Sequence, residues 1–162
     1  RVNRDTRFSE DKSPYKDNIS LMFWEGPGKK TEYPGFGMRI HVTEGTGLMA
    51  GLFGFNKPML EAYREAVLDN KLGAELVQAI ESVRNAGDYE IGGAHYKTVP
   101  RGYDKDHPRA EWLKYAGLYA LKGNIPREIV TSPELVEVCY AHFQKMSPIQ
   151  RWLVKVGERV TA

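Results

Sequence analysis

The sequence predicts an α+β fold, a single domain over residues 1–162 in which helices pack on one side of a mostly antiparallel sheet. Short segments of the first half alternate apolar and polar residues, which is typical of half-buried strands. Longer segments of the second half repeat apolar residues every three or four positions, which is typical of amphipathic helices. With 162 residues and no repeat or long linker, the chain suits one domain with a substantial core.

Three strands are predicted in the first half. The first contains Ile19, Leu21 and Phe23 at alternating positions, and the second contains Met38, Ile40 and Val42. A turn over residues 43–47 leads to the third, residues 48–55, which is apolar on both faces. That pattern indicates a central strand with another element packed closely over it. The Gly-, Pro- and Lys-rich segment between the first two strands is expected to be an exposed connection.

Helices are predicted to follow. Asn56 is a suitable N-cap for a helix that continues to about Asp69, and a second helix is expected from about Gly73 to Asn85, ended by Gly87. A short helix over residues 109–115 and a last strand over 117–121 come next. Each of two Ser-Pro pairs resembles a cap followed by the first turn of a helix, which predicts two closing helices, beginning at Ser132-Pro133 and Ser147-Pro148.

Composition limits the classes of function. The net charge of +2 is too small to indicate a nucleic-acid-binding protein by itself. The longest apolar stretch, residues 47–55, is far shorter than the roughly 20 residues that cross a bilayer, so no membrane association is expected. The single Cys139 cannot form an internal disulfide, which fits a cytoplasmic protein.

Two short segments combine Arg, Lys, Asp, Tyr and Pro where an ordinary loop would carry Gly, Ser and Asn. They are RDTRFSEDKSPYK, at residues 4–16, and YKTVPRGYDKDHPRAEW, at residues 96–112. Arg supplies a rigid fork of donors and Pro fixes the backbone that carries it. This composition is typical of a preorganised site for an anionic group.

In these two segments the chain resembles a bacterial family known as domain of unknown function 2461. The matching stretches are RDTRFS with the following Lys12 and PYK, then YK, PRGYD and DHP, and the Trp152-Leu153 pair near the C-terminus. The resemblance covers almost the whole chain but implies no established activity. Members of that family carry a helical segment before the first motif, so the resemblance predicts that this chain is truncated at its N-terminus.

The first functional hypothesis is an anion site that both motifs share. One arginine of the first motif and Lys16 would join the cations of the second motif around a phosphate-bearing ligand. The candidate residues are Arg4, Arg7, Lys16, Lys97, Arg101 and Arg109. The alternative is that these cations form ion pairs that hold the loop against the body of the protein. Side chains of the two motifs more than about 10 Å apart would exclude the shared site.

The second hypothesis is catalysis. Histidine is the usual side chain for proton transfer, and His107 is flanked by Asp104 and Asp106, which makes it the candidate acid or base, with Tyr103 as a donor beside it. A His before Pro at the start of a helix is also commonly a capping residue. Metal-ligand spacing is absent, so no metal and no cofactor are expected.

Other polar side chains have ordinary explanations. Cys139 and His142 lie along the apolar face of a predicted helix, where they suit the core. Arg39 and His41 share the polar face of a strand and become interesting only if that face lines a pocket.

Three interpretations therefore remain open. The protein binds a phosphate-bearing ligand, a nucleotide or nucleic acid; or it is an enzyme that uses His107 with Asp104 or Asp106; or both motifs are structural and the function involves an unidentified protein partner. The third predicts fully paired, poorly accessible charges.

Overall fold

Five antiparallel strands form one sheet in the order β1-β2-β3-β5-β4. The structure is a computed structural model that describes residues 3–5, 7–8, 10, 12–26 and 28–161. The strands are β1 (Asn18–Trp24), β2 (Gly35–His41), β3 (Gly45–Leu52), β4 (Glu90–Ala94) and β5 (Tyr115–Ile125). The helices are α1 (Lys57–Leu68), α2 (Asn70–Asn85), α3 (Arg127–Val130) and α4 (Leu135–Thr161), with a 3₁₀ helix at Ala110–Lys114. The predicted α+β class is confirmed.

The sheet agrees with the predicted strands but differs in their ends. As expected, β3 is the central strand, paired with β2 on one side and β5 on the other. Strand β3 begins at Gly45, where the φ of 83° marks the end of the tight turn. The turn is therefore shorter than the predicted residues 43–47. Val42 lies outside β2 and is exposed.

Strand β4 has no counterpart in the sequence prediction. It has five residues, two of them glycines, so its apolar alternation is too short to recognise. Its partner β5 is also longer than the predicted residues 117–121, because pairing with both β3 and β4 extends it from Tyr115 to Ile125.

The first two helices begin at side-chain caps. Asn56 Oδ1 accepts the Met59 N–H at 3.0 Å, as the sequence predicts. Helix α2 starts three residues earlier than expected, since Asp69 Oδ1 accepts the N–H groups of Lys71 and Leu72 at 2.9 and 2.8 Å. The pKa of Asp69 is lowered by these bonds, most of all by the one from Leu72.

The prediction of two closing helices is wrong. A single helix, α4, contains Pro148 in its interior. Proline has no N–H to bond the carbonyl four residues earlier, which normally breaks a helix. Here Ser147 Oγ donates to that carbonyl, on Gln144, at 2.8 Å. Met146 and Ile149, on either side of the proline, are fully buried, so packing holds both halves in one helix.

The core lies between one face of the sheet and the helices. Helix α4 packs directly on β3 and β5, and α1 and α2 pack against α4. Long-range hydrogen bonds join these layers: Trp152 Nε1 donates to the Leu72 carbonyl at 2.9 Å, and the Tyr63 hydroxyl donates to the Trp112 carbonyl at 2.9 Å. Helices therefore cover one face of the sheet, as predicted.

Candidate functional site

The first motif forms a loop beside the start of β1. Asn3 pairs with Tyr15, and the Arg4 N–H donates to the Pro14 carbonyl at 3.0 Å. Arg4 Nη1 also donates to Ser13 Oγ at 3.3 Å. Residues 6, 9 and 11 of this motif lie outside the described residues.

Arg7 is occupied by an acid from its own motif. Its Nε and Nη2 donate to the two carboxylate oxygens of Asp5 at 3.0 and 2.7 Å. Asp5 raises the pKa of Arg7, although both side chains are exposed to solvent. Because an exposed pair of this kind adds little stability, its main effect is to neutralise the cation.

Lys16 and its neighbour lie at the first corner of the sheet. Asp17 accepts the Val42 N–H through its carbonyl at 3.0 Å, and His41 Nε2 lies 3.2 Å from Asp17 Oδ2. Lys16 itself is exposed, and its ammonium forms no ion pair with the residues that the structure describes. The first motif is thus anchored where β1 begins and β2 ends.

The second motif lies at the diagonally opposite corner. It connects Ala94, at the end of β4, to Tyr115, at the start of β5, and these two residues pair. The start of β1 is level with the end of β5 at Ile125, three strands away. Strand spacings of about 4.8 Å and a rise of about 3.3 Å per residue along β5 separate the motifs by a distance on the order of 30 Å. The anchor points of the two motifs therefore do not favour a shared anion site, which stays a prediction.

Arg109 caps a helix instead of facing solvent. Its Nε donates to the Val67 carbonyl at 2.6 Å, and its Nη2 donates to the carbonyls of Leu68 and Asp69, both at 3.2 Å. These are carbonyls at the C-terminal end of α1, where a positive charge is favourable. The expected role of Arg109 at an anion gives way to a structural one.

His107 and Asp104 shape the turn between the motif and the 3₁₀ helix. His107 is half-buried, and its Nδ1 accepts the Arg109 N–H at 3.1 Å. Asp104 Oδ1 accepts the Asp106 N–H at 2.9 Å, which closes a short turn. Since Nδ1 is used as an acceptor, only Nε2 of His107 is left for other partners.

Sequence reasoning missed Arg64, which lies at the centre of this corner. The Arg64 guanidinium carbon lies 5.4 Å from the Tyr96 ring centroid and 5.6 Å from that of Tyr103, within the range of cation–π contacts. Its Nε is buried and has no hydrogen-bond partner in the described part of the chain. A signal was present: Arg64 lies four residues from both Leu60 and Leu68, on the apolar stripe of α1.

We name Arg64, Tyr96 and Tyr103, with the adjacent Lys97 and Arg101, the Arg64 cluster. Lys97 and Arg101 are exposed, and their side chains form no hydrogen bond or ion pair with any described residue. The His95 ring packs edge-on against Tyr96 at 4.9 Å between centroids. Of the six predicted anion-binding residues, Lys97 and Arg101 lie in the same loop as the two tyrosines, next to Tyr96 and two positions before Tyr103. The cluster has positive charge, two tyrosine hydroxyls and open access to solvent.

Metal-binding clusters and membrane-spanning helices are both absent from the described ranges. No group of three or more His, Cys, Asp or Glu side chains there is placed to hold a metal ion. None of the helices in that part of the chain has the length and apolar character needed to cross a membrane.

Fold and surface together define the class: an α+β protein with a five-stranded antiparallel sheet, helices on one face and a cationic, tyrosine-lined corner. The chain belongs to the DUF2461 family of conserved hypothetical proteins, whose family model matches residues 1–152. The family resemblance drawn from the two motifs is confirmed. No curated protein and no solved structure matches the chain.

Proposed function

We propose that the protein binds a small phosphate-bearing ligand, such as a nucleotide, at the Arg64 cluster. One observation carries the proposal: Arg64 Nε is buried without an acceptor among the described residues, and its guanidinium lies against the rings of Tyr96 and Tyr103. A buried charged donor without a partner costs free energy, and an anion that bonds the same guanidinium through its Nη groups would offset part of that cost.

A phosphate suits the cluster better than a lone carboxylate. Arg64, Lys97 and Arg101 supply three cations. A phosphate group, with up to two negative charges, can pair with more of them than a carboxylate, which has one. Tyr96 is 39% exposed, so its ring is accessible to a base or another planar group as well as to solvent. Nucleotides combine both features.

The alternative interpretations receive less support. The structural interpretation explains Arg109 and Arg7, whose donors are occupied. It does not explain Lys97 and Arg101, whose charged groups have no partner among the described residues. Catalysis by His107, with Asp104 and Tyr103, stays a prediction. An activity that His107→Gln leaves unchanged would remove it.

The test is thermal unfolding with inorganic phosphate, mononucleotides and a short single-stranded oligonucleotide as probes. A ligand at a hundred times its dissociation constant adds about 2.7 kcal/mol, which raises the Tm of a protein of this size by about 5 to 11 °C. We expect a mononucleotide to give such a shift, and Arg64→Met and Arg101→Ala each to reduce it strongly.

The matched control is Arg84→Met. Arg84 also lies over an aromatic ring, that of Trp112 at 5.8 Å, but on α2 and outside the cluster. It should keep the ligand-induced shift. If Arg64→Met is too unstable to assay, the exposed Lys97→Ala replaces it. Absence of any shift, or equal loss in Arg84→Met, would reject the proposal, and a shift with the oligonucleotide alone would indicate nucleic acid instead.

We also propose a cytoplasmic location. The lone thiol of Cys139 is half-buried, and burial raises its pKa, so the residue suits a reducing compartment in which it stays a thiol. Fractionation of the source cells would test this.

A further inference from the structure

A cavity of about 770 Å³ lies on the sheet face opposite the helices. That size lies within the range of small-molecule sites. Strands β1, β2, β3 and β5 form its floor, and Lys30 and Thr31, from the connection between β1 and β2, form part of its wall. We name it the open-face cavity. No residue of the Arg64 cluster lines it.

Strand register explains why the floor is apolar. Met22 on β1 pairs with Gly37, Gly37 pairs with Met49, and Met49 pairs with Leu121, so these residues form one row across the sheet. At Gly37 an added Cβ would lie 3.2 Å from Met22 Sδ, so the thioether lies directly over the glycine. Two flexible, polarizable methionines thus border the cavity, and such side chains adapt to varied apolar ligands.

Glycines make the cavity deep in the neighbouring row. Arg39 pairs with Gly47, so both face the cavity. A Cβ added at Gly47 would meet only the Lys122 carbonyl oxygen, at 3.5 Å, and one added at Gly123 would meet nothing within 4 Å. Neither glycine has a positive φ. A side chain at Gly47 would therefore project into the cavity without strain.

Charge at the rim leaves one cation without an acid partner in the described chain. Three cationic side chains line the cavity, Lys30, Arg39 and Lys122, against two acidic ones, Glu44 and Glu90. Arg39 Nη1 lies 3.4 Å from Glu44 Oε2, and Lys122 Nζ lies 3.5 Å from Asp88 Oδ2. Lys30 forms no ion pair within the described chain.

His41 adds no charge to this balance. Its Nδ1 accepts the N–H groups of Thr43 and Glu44, at 3.2 and 3.1 Å, so the ring carries its proton on Nε2, towards Asp17. With Asp88, which pairs with Lys122 from outside the lining, the charges around the apolar floor balance, and Lys30 is the lining cation without an acid partner in the described chain.

We propose that the open-face cavity binds an amphiphilic monocarboxylate. The apolar body lies over the row Met22, Gly37, Met49 and Leu121, and the carboxylate pairs with Arg39 and Lys30. In the sequence, Arg39 and His41 were ordinary residues on the polar face of a strand. In the structure that face lines the open-face cavity, which gives Arg39 its proposed role.

Sodium decanoate, below its micelle concentration, is the probe, and isothermal titration calorimetry measures its affinity. We expect saturable 1:1 binding that Gly47→Leu weakens at least tenfold, because the leucine fills the cavity. Arg39→Gln should weaken decanoate binding but not binding of decyltrimethylammonium. Gly157→Leu, at another glycine with open space around its Cβ but on α4, should bind decanoate normally.

Methionine methyl NMR locates the bound ligand independently of the variants. The chain has five methionines. Met22 and Met49 line the open-face cavity only, whereas Met38 borders both that cavity and an apolar groove beside α4, where its Sδ lies 3.7 Å from Cys139 Sγ. Met59 and Met146 are buried in the core. Decanoate should shift the signals of Met22 and Met49 more than that of Met38 and leave those of Met59 and Met146 unchanged.

Two results would overturn the proposal. Shifts confined to Met38, or binding lost in Val136→Gln and retained in Gly47→Leu, would place the ligand in the groove beside α4. Equal binding of decanoate and decyltrimethylammonium, both insensitive to Arg39→Gln, would show that the charged rim selects nothing. If Gly47→Leu does not fold, Gly47→Ala and the NMR measurement still decide.

Discussion

Arg109→Met tests whether the second motif is held to the body of the protein by one guanidinium. The substitution keeps an apolar stem but removes the donors to the carbonyls of Val67, Leu68 and Asp69. Hydrogen bonds from a charged donor contribute about 1.5–3 kcal/mol each. The 2.6 Å bond to Val67 should contribute fully and the two 3.2 Å bonds much less. We therefore expect a loss of about 3 kcal/mol in the free energy of unfolding.

Urea unfolding followed by tryptophan fluorescence measures this loss, and the corresponding fall in Tm is about 6 to 12 °C. Arg101→Met is the matched control, because its guanidinium lies in the same motif, is exposed and has no partner among the described residues. It should change stability by no more than about 0.5 kcal/mol. An Arg109→Met protein as stable as Arg101→Met would refute the capping role.

Two further predictions concern α4. Ser147→Ala removes the donor to the Gln144 carbonyl, so it should lower the free energy of unfolding, measured in urea, by about 1 kcal/mol. In a Pro148→Ala background the restored N–H bonds that carbonyl, so the same substitution should cost almost nothing. Equal costs in both backgrounds would contradict this. The pKa of His142 is lowered in the folded protein, mainly by burial and to a lesser degree by Lys122 and Lys145. Below about pH 6.5 the unfolded chain therefore binds more protons than the folded protein, so stability should fall as the pH drops. Tm measured from pH 7.5 to 5 should decline less steeply in His142→Gln, and an unchanged slope would exclude His142 as the cause.

Sequence signals that act over a few residues predicted the elements well. The Asn56 cap and the apolar stripe of α2 concern neighbouring groups, so they survive without knowledge of the rest of the fold. The alternation in β1 indicated a strand correctly, although its apolar residues Ile19, Leu21 and Phe23 are exposed. The two polar motifs were equally visible, because their composition is local, and they led to the correct family.

Local signals failed to predict the secondary structure where packing or pairing with distant residues outweighed the local preference. Ser147-Pro148 looks like a helix start, yet buried Met146 and Ile149 keep the chain helical through it. Strand β4 is too short to show a pattern and exists because β5 pairs with it. Both outcomes depend on tertiary packing, whose free energy exceeds that of the local preference.

The sequence alone determined the α+β class, most of the helices and strands and the family, because each follows from periodicity or from a contiguous motif. Only the tertiary structure decided which charges meet. It anchors the two motifs at different corners of the sheet, turns Arg109 onto the end of α1, and brings Arg64 against Tyr96 and Tyr103, more than 30 positions away along the chain. Such contacts join residues remote in sequence, and neither composition nor spacing encodes the path of the chain that brings them together.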